Sequence, residues 1–320
     1  MSGNSRRATF ALIALLAGAT ATSHAATTLT GAGATFPYPI YSKWFYAYGR
    51  LTGVRINYQS IGSGAGIQQL KVRTVDFGAS DAPLSNEEMR SMPGDVIHIP
   101  TVAGAVVLTY NVRGIGKGLR LTPEIASGIF LGKIRRWDDS AIKRVNPRLR
   151  LPRQPIYVAH RSDGSGTTFI FTSYLSAVSG EWKSRVGAGK SVRWPVGIGG
   201  KGNEGVAGLV KQTPGAIGYV EMAYAVQNRL SYACVRNRAG RFIEPSIEST
   251  TAAANSAAAA MKKDVRTLIV NPPGKNAYPI AGFTYILLYK NQSNPEKARA
   301  LARFLRWAIH DGQKMAKPLI

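Results

Sequence analysis

The chain has 320 residues, 45% of them hydrophobic and 18% charged, enough for two ordinary domains with separate cores and too apolar for a disordered tail. Lys and Arg number 41 against 17 Asp and Glu, a formal net charge of +24 that draws anions of any size. The single cysteine, Cys234, excludes an internal disulfide, and with only four scattered histidines beside it no set of metal ligands can be drawn up.

Residues 1–25 read as an export signal. Arg6 and Arg7 precede the apolar run FALIALLAGATA, and a small-x-small site, SHA, places cleavage near Ala25–Ala26. The run is too short for a permanent membrane-spanning helix, so the mature chain is expected without a transmembrane segment and outside the cytoplasm, in a periplasm or secreted. The paired arginines suit an ordinary charged start and also a twin-arginine signal.

The mature chain then repeats one local design three times. In TTLTGAGATFPYPIYSKWFYAYG, a short strand around Thr28 runs into glycines. Thr35 fits as N-cap of the following helix and Pro37 suits its first turn. Ile40, Trp44, Phe45 and Tyr48 recur at helical spacing, which predicts a buried face. In VRINYQSIGSGAGIQQLKVRT, Val54 to Tyr58 alternates like a strand, and Ser63 lies where a helix begins. A further strand, VDFGAS, delivers Asp81 at its end. In PIYVAHRSDGSGTTFIFTSYLSAVS, a strand, a loop and a helix entered at Ser165 to Thr167 bring Arg161 and Asp163 into the loop. Taken alone, each loop is ordinary turn chemistry. Together they set hydroxyls and free N–H groups at three helix starts, beside one guanidinium, which suits a small oxyanion.

Other patterns carry less. GIGGKG, Gly197 to Gly202, spells a dinucleotide-type loop with Glu221 at about the right distance, but an exported protein has little access to nicotinamide cofactors. Lys201 is followed by Gly202, so the phosphate-loop pattern of nucleotide hydrolases fails. Ser165 lacks the flanking glycines of a hydrolase elbow, and no catalytic triad can be built on His160. TTAAANSAAAAMKK is expected as a surface helix. The basic stretch GKIRRWDDSAIKRVNPRLRLPR, Gly132 to Arg153, reads first as a solvated face, because no nucleic-acid-binding signature accompanies it.

LTGAGATFPYPIY, NYQSIGSGAGIQQL, VDFGASDAPLS, LGKIRRWDD, RSDGSGTTFIFTSYL, WPVGIGGKGNEGV and PGAIGYVE closely resemble, in order, the periplasmic phosphate-binding proteins of bacterial ABC phosphate importers. The resemblance runs from about Leu29 to about Ala308. It implies a two-lobed α/β periplasmic-binding-protein fold with the ligand cleft between lobes joined by crossing strands. Residues 26–102 with 279–320 would form one lobe and 103–278 the other, with VAGAVVLTY and YPIAGFTYILLYK carrying the crossings. Motif by motif it implies a phosphate site of Thr35, the Phe36 backbone N–H, Ser63, Asp81, Arg161, Ser165, Gly166 and Thr167, with Asp163 holding Arg161. Asp81 would accept the proton that monohydrogen phosphate carries and sulfate lacks, and so act as a filter. No cofactor, no catalysis and no specific nucleic acid are expected. The implied partners are phosphate and an inner-membrane ABC permease, and the implied state is a monomer. The same resemblance implies a further C-terminal helix after the point where this chain stops and a less basic surface. A secreted basic protein that adheres to anionic polymers is the alternative reading.

Overall fold

The computed structural model describes residues 27–319, so the export signal expected over residues 1–25 lies outside the described residues. Short runs of β-branched and aromatic residues form twelve strands there: β1 (Thr28–Gly33), β2 (Arg55–Ser60), β3 (Phe77–Ser80), β4 (Val96–Tyr110), β5 (Arg120–Leu121), β6 (Tyr157–Arg161), β7 (Ile198–Gly200), β8 (Ala216–Glu221), β9 (Ser231–Tyr232), β10 (Cys234–Arg236), β11 (Phe242–Ile243) and β12 (Ala281–Tyr289). Nine of them share one sheet, in the order β2-β1-β3-β12-β4-β8-β6-β7 with β9 also on β4, while β11, β10 and β5 make a small second sheet.

The long strand β4 joins two half-sheets. Its residues up to Ala105 pair antiparallel with β12, and Val106–Tyr110 pair antiparallel with β8. Its apolar run is buried from Ala105 to Tyr110, as expected of a strand covered on both faces. Between Thr284 and Tyr285 the β12 register against β4 shifts from Val102 to Pro100, leaving Thr101 as the extra residue of a bulge. The Thr101 hydroxyl donates to the Thr284 carbonyl and meets the Tyr41 hydroxyl at 2.6 Å, so the bulge is bonded rather than loose.

Within each half-sheet the strands that precede the Gly-rich loops run parallel. β1 pairs with β2 and β3, and β6 pairs with β7 and β8. Each such strand feeds a helix: Tyr38–Thr52 after β1, Ser63–Lys71 after β2, Gly166–Val178 after β6 and Gly202–Gln212 after β7. Loops at the carboxyl ends of parallel strands therefore face the divide between the half-sheets, the usual place for a ligand in such folds.

Two main cores lie on either side of that divide. Ile40, Tyr41, Trp44, Phe45 and Tyr48 pack with Leu29, Phe77 and Phe304 on one side. Trp137, Phe171, Trp182, Val206 and Tyr219 pack beneath the other half-sheet. Burying side chains of this size contributes about 1.5–3 kcal/mol each. The helical spacing read from the sequence is thus the buried stripe of Tyr38–Thr52, while Tyr46 faces solvent.

Two local expectations are corrected. Thr35 is not an N-cap: helix Tyr38–Thr52 is preceded by Pro37 with no side-chain cap, and the Thr35 hydroxyl turns into the divide to meet Asn203. The Ala-rich stretch is not a plain surface helix. It splits into Ile247–Ser256 and Ala258–Met261, and Ala253 and Ala257 pack against Ile269, Ala277 and Ala281 in a small core of their own.

Candidate functional site

Asp163 follows β6 by two residues, near enough for its carboxylate to fold back on Arg161. Arg161 Nε donates to Asp163 Oδ1 at 2.7 Å and Nη2 to Oδ2 at 2.5 Å, a fork that holds the guanidinium plane fixed. Nη1 is thereby aimed away from Asp163, and it donates to Thr167 Oγ1 at 3.2 Å. The Gly202 backbone N–H donates to Asp163 Oδ1, which ties the carboxylate to the start of a second helix. Arg161 is only 4% exposed, a buried cation whose ion-pair partner is partly exposed.

Ser165 caps helix Gly166–Val178 by accepting from the Thr168 N–H. The next backbone donor, the Gly166 N–H, reaches across the divide to Ser63 Oγ at 3.1 Å. Ser63 Oγ also accepts from the Asp81 N–H at 3.3 Å. Gly166 is required by this approach, because a Cβ there would sit 2.5 Å from Asp81 Oδ2 and 2.6 Å from Ser63 Oγ. A second crossing joins the Gly64 N–H to the Gly164 carbonyl at 2.8 Å. Thr35, Phe36, Ser63, Asp81, Arg161, Ser165, Gly166 and Thr167 are all buried. Loops of both half-sheets thus bring the expected residues to one closed, solvent-poor place.

Two comparisons bear on what this place belongs to. The model of a PBP superfamily domain matches residues 18–311. A phosphate-binding protein PstS of Xylella fastidiosa is 49% identical over 292 residues, covering 91% of this chain and 80% of the relative. The chain belongs to the phosphate-binding protein family. The PstS of Haemophilus influenzae is 48% identical over 295 residues, with 92% of this chain and 88% of the relative covered. Among solved structures, an ABC-type phosphate transport receptor from Vibrio cholerae superposes with a TM-score of 0.58 at 18% identity, covering 91% of this chain and 98% of that one. The fold is the two-lobed α/β periplasmic-binding-protein fold.

In this family member the carboxyls of Asp81 and Asp163 are shifted in opposite directions. Burial pushes the Asp81 carboxyl up to about 7, against the lowering pull of the Thr284 hydroxyl and of the Arg161 charge. Burial works in the same direction on Asp163, but the Arg161 hydrogen bonds and charge prevail and hold it below the usual carboxylate range. Asp81 Oδ1 accepts from Thr284 Oγ1 at 2.6 Å, which leaves Oδ2 on the Gly166 side.

Sequence reasoning missed Asn203, Thr284 and Glu221. Asn203 is fully buried and hydrogen-bonds both Thr35 and Thr167. It lies in WPVGIGGKGNEGV, one of the stretches that carry the family resemblance without a role for Asn203, just after the dinucleotide-type loop GIGGKG. Thr284 reaches Asp81 because β12 runs antiparallel to β3 with Tyr285 opposite Ser80, a pairing between distant parts of the chain that no local pattern announces. Glu221 ends β8, accepts from the Ala223 N–H at 2.8 Å, and is pushed up to about 8 by burial, with the Asp81 charge adding to that rise. Among the described residues, no group of three or more His, Cys, Asp and Glu side chains could hold a metal ion, and no helix is long and apolar enough to cross a membrane.

Proposed function

We propose that the protein binds inorganic phosphate tightly in the cleft between its lobes and delivers it to an ABC permease. Its lobes would be residues 26–102 with 279–320 and residues 103–278, and the mature chain would act as a periplasmic monomer that performs no chemistry. The observation that carries this reading is the mixture of groups gathered in the cleft: one buried guanidinium, several hydroxyls and helix-start N–H groups, and a carboxylate, Asp81, that is not paired with a cation. A buried divalent oxyanion needs nearly every oxygen to accept a hydrogen bond, and small hydroxyls and amides supply donors without bulk. Thr35, Phe36, Ser63, Arg161, Ser165, Gly166 and Thr167 are the proposed donors, and Asp163 keeps the Arg161 fork in place.

Asp81 makes the reading specific to a protonated anion. Monohydrogen phosphate presents one hydroxyl, and one proton shared between it and Asp81 satisfies both partners. Sulfate at neutral pH has none, so an ionised Asp81 would face an unprotonated oxygen in a site without water. The family name of the relatives and the phosphate receptor among the solved structures support the same ligand class. Titration calorimetry of the mature protein with phosphate, arsenate and sulfate tests it. The expected result is one phosphate per chain, competition by arsenate, and no measurable sulfate heat at pH 8. Sulfate bound as tightly as phosphate would overturn the role given to Asp81.

A further inference from the structure

A hydroxyl has one proton to give and two lone pairs with which to accept. In the cleft, Ser63 Oγ already accepts from two backbone N–H groups, and both lone pairs of two threonine hydroxyls are taken as well, with one residue supplying most of their donors. Thr35 Oγ1 accepts from the Asn203 backbone N–H at 3.2 Å and from Asn203 Nδ2 at 2.7 Å. Thr167 Oγ1 accepts from Arg161 Nη1 at 3.2 Å and from Asn203 Nδ2 at 3.1 Å. The two hydrogens of the Asn203 amide are thereby divided between a threonine of each half-sheet.

The orientation of that amide follows from a third contact. The Glu221 backbone N–H meets Asn203 Oδ1 at 2.8 Å, and only an acceptor can face it. The NH2 group must then point toward the two threonines, so the amide cannot be turned over without opposing two donors. Asn203 is fully buried, and so no water competes for these bonds.

From this arrangement we infer that Asn203 is a positioning residue for anion binding: it fills the acceptor sites of the Thr35 and Thr167 hydroxyls and thereby turns both into obligatory donors toward the ligand. The inference rests on the phosphate reading of the cleft and adds a reason for its selectivity. A hydroxyl left free could rotate and accept a proton from a ligand, whereas these two can only offer theirs. A ligand oxygen that meets them must accept and finds no place there for its own proton, so the ligand proton is steered to Asp81. Asn203 also bonds across the divide, since Thr35 precedes helix Tyr38–Thr52 and Asn203 lies in helix Gly202–Gln212. The alignment of the Thr35 hydroxyl therefore exists only while the two sides are together, and closure and donor polarity become one event.

The test is a mutant cycle on the purified mature chain, read as phosphate dissociation constants by equilibrium dialysis with labelled phosphate, with near-ultraviolet circular dichroism as the check on folding. Asn203→Ala is expected to weaken phosphate binding about 10- to 100-fold, the scale of losing the alignment of two hydrogen bonds to a charged ligand. In a Thr35→Ala background the same substitution should cost less, by a factor of at least about 3, because one of its two targets has gone. Asn203→Asp keeps an oxygen for the Glu221 N–H but draws the hydroxyl protons to itself, and it should bind phosphate more weakly than Asn203→Ala. It also serves in the cycle where the alanine variant does not fold. Unchanged affinity in folded Asn203→Ala overturns the inference, and so do losses in the cycle that multiply independently. Wild-type protein that takes up no phosphate would defeat the phosphate reading itself, before any variant is made, and this inference with it.

Discussion

Asp81 and Asp163 lie in the same buried cleft, yet their surroundings treat them differently. Asp163 receives both ends of a guanidinium fork and a backbone N–H, and its charge is fully answered. Asp81 receives a single threonine hydroxyl on one oxygen, while the other lies beside Gly166, and its ionised form is poorly supported. Burial and donors act together here: Asp81 is almost fully buried with one hydroxyl donor, whereas Asp163 is partly exposed and faces a guanidinium fork and a backbone N–H. The same closed cleft can therefore hold one carboxylate as a fixed structural anion and the other as a group ready to share a proton.

The largest test of this contrast removes the donor that separates the two. Arg161→Met should lower phosphate affinity by about 2–5 kcal/mol, since a buried dianion loses its only cationic partner. It should also make Asp163 behave like Asp81, with its carboxyl shifted upward. Calorimetry reads the first effect and the carboxyl resonances in carbon-13 NMR read the second. Unchanged phosphate affinity in a folded Arg161→Met protein would place the anion elsewhere.

The second test uses pH and the phosphate-free protein. A carboxyl whose folded value is raised binds its proton more tightly in the native state, so its stabilising share is complete below about pH 4 and is lost as pH rises toward 7. Asp163 has the opposite sign, stabilising above its ordinary value and losing that share as the pH falls below about 4. A rise of Asp81 from 3.8 to about 7 corresponds to on the order of 4 kcal/mol of stability lost across that window. Asp81→Asn should therefore flatten the decline in melting temperature between pH 4 and 7 and leave the acid limb below pH 4 in place. Burial raises Glu221 as well, so a residual slope toward pH 8 should persist in the variant. A melting profile identical to wild type would mean that Asp81 does not titrate in this range.

The smallest effect sets both buried carboxylates against the exposed basic face. Lys133 pairs with Glu181 and Arg136 with Asp138, contacts open to solvent and worth little. Added salt screens such charges over about 8–10 Å, so it should slow phosphate association severalfold while dissociation barely changes. Neutralising Arg144, Arg148, Arg150 and Arg153 should remove that salt dependence and leave the phosphate dissociation rate intact, as stopped-flow traces would reveal. Tight heparin or DNA binding that survives high salt and vanishes with those arginines would favour the adhesive alternative instead.

Much of this molecule was legible residue by residue. Helix Tyr38–Thr52 announced its buried stripe, and helix Gly166–Val178 announced its start near Ser165 to Thr167. Arg161 and Asp163 stand two positions apart, so their fork could be expected from the loop that holds them. Thr35 was misjudged because a hydroxyl before a helix looks like a cap, and only the arrival of Asn203 gives it a different partner.

What the chain determines by itself is therefore local: where strands end, which loops carry glycine and hydroxyls, and which side chains sit within a turn of one another. These properties depend on backbone conformations and contacts within about ten residues, and such windows are written directly in the order of amino acids. The tertiary structure alone decides that Asn203 meets Thr35 across 168 positions and that Thr284 meets Asp81 across 203. Those meetings depend on the register of β12 against β3 and on the approach of the two half-sheets. A one-residue change in that register would turn Thr284 to the opposite face of the sheet and leave Asp81 without its donor.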